Sequence, residues 1–219
     1  MKIIATIRTK YKEKFGIPRQ SGIVDTEGLI VFEPEYRARE ALRGLEEFSH
    51  LWLIWEFSEN KEAPWHPTVR PPRLGGNRRM GVFATRSPRR PNPIGLSCVR
   101  LLGIEDTKDG PVLRVSGADL LDKTPIYDIK PYLPYTDSHP EAVGGFADRV
   151  RDYAVRVEFP AEISENIDEQ TKEELISILA HDPRPSYQDD DSRIYGLTFG
   201  NYEVRFRYDA DCIIVIEIK

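Results

Sequence analysis

The sequence predicts a mainly β chain, an antiparallel sheet or barrel followed by a small appended α+β unit. Three observations predict it. Short apolar, β-branched runs recur along residues 1–159 with turn residues between them. Only one stretch in that region has helical spacing, so the alternating strand–helix pattern of a parallel sheet is missing. Residues 160–219 then place one helix before three strands.

Residues 2–9 carry a β-branched run, and residues 22–32 carry two short apolar runs broken by a turn at 25–28. Residues 36–48 are predicted helical. Ala38, Ala41, Leu42, Leu45 and Phe48 fall on one face, with Arg and Glu opposite. Residues 50–57, HLWLIWEF, form the most apolar strand and are expected at the centre of the sheet. Residues 94–104 and 112–116 are strands around a turn at 106–110, and residues 126–130 are a short extended run. The chain becomes small and polar at 137–150, as a surface loop or linker does. Residues 153–159 are another strand, and the domain boundary is placed after residue 159. In the appended unit, residues 171–180 read as a helix with Thr171 as N-cap and Glu174 completing a capping box. Residues 194–199, 202–208 and 212–218 are strands, the last two a hairpin around 209–211.

Composition narrows the function classes. The chain has 219 residues, 40% of them hydrophobic, enough for a core. No apolar run approaches the roughly 18 residues of a membrane span. The start, MKIIATIRTKYKEK, turns charged too soon for a secretory signal. Cys98 and Cys212 sit in apolar runs and read as buried thiols. They and the four scattered histidines show no metal-ligand spacing, so no metal is expected. A cytoplasmic protein is expected.

One segment carries charge against this acidic background. The net charge is −5, yet no Asp or Glu occurs between residues 63 and 104. Seven arginines lie between residues 70 and 90 of it: Arg70, Arg73, Arg78, Arg79, Arg86, Arg89 and Arg90. Prolines and glycines crowd the same segment, so it reads as a shaped loop for a polyanion. Arginine presents a planar fork of donors to phosphate or carboxylate oxygens. Trp65, Phe83, Tyr132 and Tyr135 are aromatic rings on which an unstacked base can lie; each taken alone reads better as core or loop anchor, Phe83 as core and Trp65 as a loop anchor. Asp119, Asp122 and Asp128 cluster with Lys123 and Lys130 around Thr-Pro and Lys-Pro turns. Such carboxylates accept from an amine or ribose hydroxyl, or simply cap their own turns.

These segments together resemble one family. IRTKYKEKFGIPRQSG, LEEFSHLWLIWEF, PTVRPPRLGGNRRMGVFATRSPRRPNPIGLS, DLLDKTPIYDIKPYLPY and DPRPSY stand in the order expected of TrmO, also called TsaA or YaeB. The resemblance spans nearly the whole chain. It implies a β-barrel, S-adenosylmethionine as methyl donor, and a homodimer with its sites near the subunit interface. It implies methylation of N6 of threonylcarbamoyl-adenosine at position 37, beside the anticodon of threonine tRNA. The lack of a GxGxxG after a strand agrees with a fold unlike the Rossmann methyltransferases. The other readings are a non-catalytic RNA- or nucleotide-binding barrel and a methyltransferase on another acceptor.

The resemblance also implies the cofactor contacts. They are Pro18, Arg19 and Gln20 of PRQ, Ser58 and Glu59 after HLWLIWEF, Arg86 of ATRS and Leu96 after PNPIG. Asp122, Lys123, Thr124 and Pro125 stand where the family has Asp-Gly-Thr-Pro, with a lysine in place of the glycine. Ser58 and Glu59 vary in the family, so contact through their backbone is expected. The tRNA is expected on Arg70, Arg73, Arg78, Arg79, Arg89, Arg90 and Tyr132. Arg86, Arg89 or Arg90 would pair with the threonyl carboxylate. Methyl transfer to a poorly nucleophilic N6 calls for an acceptor at its hydrogen, and Asn92, Asp122 and Asp128 are the candidates.

Overall fold

The computed structural model describes residues 1–60, 64–71, 78–184 and 193–219. Twelve strands are described. They are β1 (Ala5–Arg8), β2 (Glu27–Phe32), β3 (His50–Glu56), β4 (Thr68–Val69), β5 (Met80–Gly81), β6 (Ile94–Thr107), β7 (Gly110–Ser116), β8 (Pro125–Pro131), β9 (Arg156–Glu158), β10 (Ile194–Phe199), β11 (Tyr202–Asp209) and β12 (Cys212–Ile218). Three helices are α1 (Pro134–Asp137), α2 (Ala161–Ser164) and α3 (Glu169–Ala180).

Six strands hydrogen-bond in the order β1-β2-β7-β6-β3-β8, every pair antiparallel. β8 pairs back onto β1, with Ala5 opposite Ile126, so the sheet closes into a ring. Closure leaves no unpaired edge. Alternate residues fill the inside: Ala5, Ile7, Ile30, Leu51, Leu53, Leu113, Val115 and Ile126 are buried together. Each such aliphatic side chain contributes about 1.5–3 kcal/mol by leaving water.

The second sheet runs β10-β11-β12-β9, with β9 parallel to β12. β9 therefore belongs by pairing to the second sheet, although the boundary read at residue 159 counted it with the first. α3 packs across this sheet through Leu175, Ile178 and Leu179. The second core is not closed by C-terminal residues alone. Tyr11, Val24, Phe15 and Ile17, from the loop between β1 and β2, pack into it.

Two local expectations fail for local reasons. Residues 36–48 form no α-helix but three short 3-10 turns, Pro34–Tyr36, Arg39–Leu42 and Leu45–Glu47. Ala38 and Arg43 are extended and Gly44 is left-handed at φ 83°, so the helical ladder cannot run through. The N-cap of α3 is Asp168, not Thr171. The Asp168 carboxylate accepts the Thr171 amide at 2.9 Å and its hydroxyl at 2.7 Å. Thr171 and Glu174 are buried instead, and Glu174 pairs with Lys10 at 2.6 Å.

A cavity where three loops meet the ring

β3 ends in a carboxylate and an aromatic pair that open a cavity of about 480 Å³. That size suits a small cofactor. One wall is the loop after β1: Lys14, Ile17, Pro18, Arg19 and Gln20. Another is the end of β3 and the turn after it, from Trp55 to Asn60. Thr85, Arg86, Pro88 and Arg90 come from the arginine segment, and Ile94, Gly95 and Leu96 from the start of β6. Asp119, Leu121 and Thr124 line it from the segment between β7 and β8.

Sequence explains the shape locally. Trp55 faces Gly95 across β3 and β6. A Cβ on Gly95 would lie 2.2 Å from the indole, so only glycine lets the ring lie flat there. The Trp55 indole N–H donates to Ser97 Oγ at 2.9 Å, and Ser97 donates to Asp119 Oδ1 at 2.5 Å. Trp55 and Phe57 pack at 4.3 Å between ring centroids. The arginine segment holds its shape from within. Arg90 donates to the carbonyls of Val82 at 3.2 Å and Thr85 at 2.6 Å, and Thr85 Oγ1 donates to the Val82 carbonyl at 2.9 Å. Arg86 donates to the Gln20 side chain, joining this segment to the first wall.

The electrostatics distinguish the carboxylates. Burial pushes the Asp119 carboxyl above its ordinary range, against the hydrogen bond from Ser97 and the attraction of Arg86. Glu56 is also buried and hydrogen-bonds Tyr127. Burial, then Glu56, pushes that phenol up to about 12.

Most of the expected cofactor residues meet here: Pro18, Arg19, Gln20, Ser58, Glu59, Arg86, Leu96 and Thr124. Asp122, Lys123 and Pro125 do not line the cavity. Asp122 instead staples the loop after β1, accepting the Thr9 amide at 3.0 Å and Lys12 at 2.9 Å. Its burial would raise its pKa, but Lys12 and the Thr9 amide hold it below the usual carboxylate range. Lys123 is left-handed at φ 66°, the conformation that suits the glycine it replaces.

Of the expected acceptors, none lines the cavity. Asn92 sits in the turn between the lining residues Arg90 and Ile94. Asp128 lies on β8 opposite Ile54, paired with Lys130 at 2.9 Å. The carboxylates that do line it are Asp119, Glu56 and Glu59. A carboxylate inside the apolar run HLWLIWEF, or between Ala118 and Leu120, was the available signal.

Arg70, Arg78, Arg79 and Arg89 are exposed, and Arg79 donates to Thr68 Oγ1 at 2.8 Å. Arg90 is half-buried and lies 5.8 Å from the exposed Phe83 ring. Arg73 falls outside the described residues. Tyr132 stands at the other end of β3, its ring 5.7 Å from Trp52, away from the cavity.

The lining fits S-adenosylmethionine in kind: flat apolar surface from Trp55, Phe57 and Leu121, buried carboxylates for cationic and hydroxyl groups, and arginines for a carboxylate. Among the described residues no helix is long and apolar enough to cross a membrane.

The comparisons agree over the whole length. The family model described as the tRNA-methyltransferase O N-terminal domain matches residues 6–138, and the TrmO C-terminal domain matches residues 152–219. A tRNA (adenine(37)-N6)-methyltransferase of Escherichia coli K12 is 43% identical over 213 residues, covering 93% of this chain and 91% of that protein. One from Eikenella corrodens is 47% identical over 169 residues, covering 77% and 95%. The crystal structure of TrmO from Pseudomonas aeruginosa superposes with a TM-score of 0.78 at 34% identity, covering 99% of this chain and 97% of that one. The chain is a member of the tRNA-methyltransferase O family.

Proposed function

We propose that this chain, an S-adenosylmethionine-dependent tRNA (adenine-37 N6) methyltransferase by family, acts on threonylcarbamoyl-adenosine of threonine tRNA. The observation that carries the reading is the cavity. It gathers the PRQ loop, the ATRS arginine and buried carboxylates beside an arginine-rich surface. The closed ring of strands serves as the expected barrel.

S-adenosylmethionine supplies an electrophilic methyl when bound, and the chain's own residues do the rest. Trp55, Phe57 and Leu121 exclude water and offer a face for a flat ring. Glu56, or the backbone of Ser58 and Glu59, takes the donor's polar groups. Asp119 replaces Asn92, Asp122 and Asp128 as the favoured acceptor. Ser97 orients it through Oδ1, and the carboxylate takes the proton that N6 loses. Its raised pKa brings it nearer the working range of a base. Arg86 is the favoured partner for the threonyl carboxylate, since it lines the cavity while Arg89 does not. A site that pairs Arg86 with the threonyl carboxylate loses that pair on unmodified adenosine, so unmodified adenosine is rejected. Arg70, Arg78, Arg79 and Arg89 hold the phosphates.

The reading includes a homodimer, as the family resemblance implies. The outer face of β3 and β6 carries Trp52, Ile54, Ile94, Leu96 and Cys98, with Leu96 54% exposed. Leu96 lines the cavity as well, so a partner on this face would stand beside the site. Light scattering checks it.

The function is tested by nucleoside mass spectrometry of threonine tRNA incubated with the protein and S-adenosylmethionine. A gain of one methyl on threonylcarbamoyl-adenosine, and none on tRNA lacking that group, is expected. Equal methylation of both would remove the carboxylate recognition. No methylation of either, with S-adenosylmethionine bound, would point to another acceptor.

A further inference from the structure

Arg19 belongs to the cavity wall, yet its guanidinium donates to the main-chain carbonyl of Asp182, at 2.8 Å. That carbonyl lies just past the end of α3, in the second sheet's unit, and its setting is built. Asp182 is left-handed at φ 46°, and its N–H donates to the Leu179 carbonyl at 2.8 Å. Its carboxylate takes a two-pronged grip from Arg184, at 2.8 and 3.2 Å. The two residues are 4% and 8% exposed. The Arg184 guanidinium lies 3.3 Å from the centre of the Tyr208 ring on β11. The Tyr153 hydroxyl donates to the same carboxylate at 3.4 Å.

A buried ion pair adds little net stability, because desolvation offsets its attraction. What it does supply is a single geometry. The methyl-transfer reading leaves this pair without a role.

The rest of the loop is seated on the same sheet. Tyr11 forms a bridge to Phe199, and the Thr198 amide donates to Glu13 at 2.7 Å. Phe15 stacks on Tyr195 and Phe206 at 6.4 and 6.2 Å. Gly16 is left-handed, and a Cβ there would come within 2.2 Å of Leu197.

We propose that Asp182 and Arg184 are positioning residues for the cofactor. They aim the Asp182 carbonyl at Arg19 and so fix the wall of the cavity that takes S-adenosylmethionine. The C-terminal unit is then a support of the methyl-donor site and not a grip on RNA. This rests on the cofactor reading above.

The test uses the full chain with Arg184→Met, which keeps length and loses the fork. S-adenosylmethionine affinity is measured by calorimetry without tRNA, and KM and kcat for both substrates by methyl transfer. Expected is a loss of about tenfold in S-adenosylmethionine affinity, as for a hydrogen bond to a charged group, with a matching rise in its KM. kcat and tRNA affinity should stay within about twofold. Circular dichroism checks the fold. Should Arg184→Met not fold, Glu13→Ala loosens the other seat from an exposed position and is expected to weaken S-adenosylmethionine binding about threefold. Unchanged S-adenosylmethionine affinity in the folded variant overturns the inference. So does a loss confined to tRNA affinity, which would make the C-terminal unit a grip on RNA instead. If the unaltered protein bound no S-adenosylmethionine, the cofactor reading itself would fall, and this inference with it.

Discussion

The two loops that wall the cavity are held by opposite means. The loop after β1 is anchored at long range: Tyr11, Phe15 and Ile17 pack into a core nearly two hundred residues away in sequence. The segment from Val82 to Arg90 is held by its own carbonyls, hydroxyls and guanidinium within eight residues. The first wall can loosen only when the second sheet loosens. The second can loosen without the second sheet, at the cost of the Arg86–Gln20 bond to the first wall. An anchored wall suits a cofactor that every turnover shares, and a self-contained one suits a substrate surface that must meet a large, variable RNA. Domain-scale and local openings differ in free energy in just this way.

The largest expected effect lies where the walls meet, at Asp119. Asp119→Asn should lower kcat by about 10²–10⁴, the span of a lost acid–base group, without unfolding the chain. The sign on stability runs the other way. The native carboxyl titrates above its ordinary value of 3.8. Across that window the native state holds more proton than the unfolded chain, so stability falls as pH rises and the penalty is complete above it. The asparagine variant should therefore melt higher than the parent at neutral pH and lose that advantage in acid. Thermal melts at several pH values decide it, and an unaltered kcat would remove Asp119 from the chemistry.

Next comes a direct contrast of the walls. Phe15→Ala should cost about 2–4 kcal/mol of global stability, because two stacked rings lose their partner. Arg90→Ala should leave the melting temperature nearly unchanged while lowering kcat/KM about tenfold or more, since it frees the Val82 and Thr85 carbonyls locally. Denaturant melts and steady-state kinetics of the pair break the comparison if the two effects are exchanged.

A smaller effect should come from the exposed arginines. Arg78→Ala with Arg79→Ala should weaken all tRNAs alike and lower the salt slope of binding by about one per arginine. A change in which tRNA is preferred would mean that they read bases instead of phosphates. Smallest is Lys123→Gly. Relief of the left-handed strain is offset by a freer unfolded chain, so stability should move by less than about 1 kcal/mol. A larger loss would show that the Lys123 side chain has a partner.

Much of the fold was legible because it rests on local pattern. Apart from the two-residue strands β4 and β5 inside the segment read as a loop, the strands from residue 2 to residue 130 show as alternating or continuous apolar runs, and the β6–β7 turn was visible in polar residues around Gly110. The 36–48 stretch misled because helical spacing says nothing of a glycine that adopts φ 83°. The cap of α3 misled because Thr171 and Asp168 are both good capping residues, and burial of Thr171 chose between them. In the site, the motif residues of the loops were legible as residue types. The facing of the carboxylates was not. β3 alternates from Leu51 to Ile54, and then Trp55 and Glu56 are both buried, where the register against β8 shifts. No alternation rule carries through that irregularity.

By itself the sequence determined the strand content, the acidic chain with its one arginine-rich surface, and the set of loop motifs that mark the family. These depend on residue type, neighbours and order, all written along the chain. Only the tertiary structure decided that β8 closes on β1, that Asp119 and not Asp122 faces the cavity, and that the C-terminal sheet carries the PRQ loop. Those depend on register and on contacts between distant segments, whose energies exist only once the chain has folded.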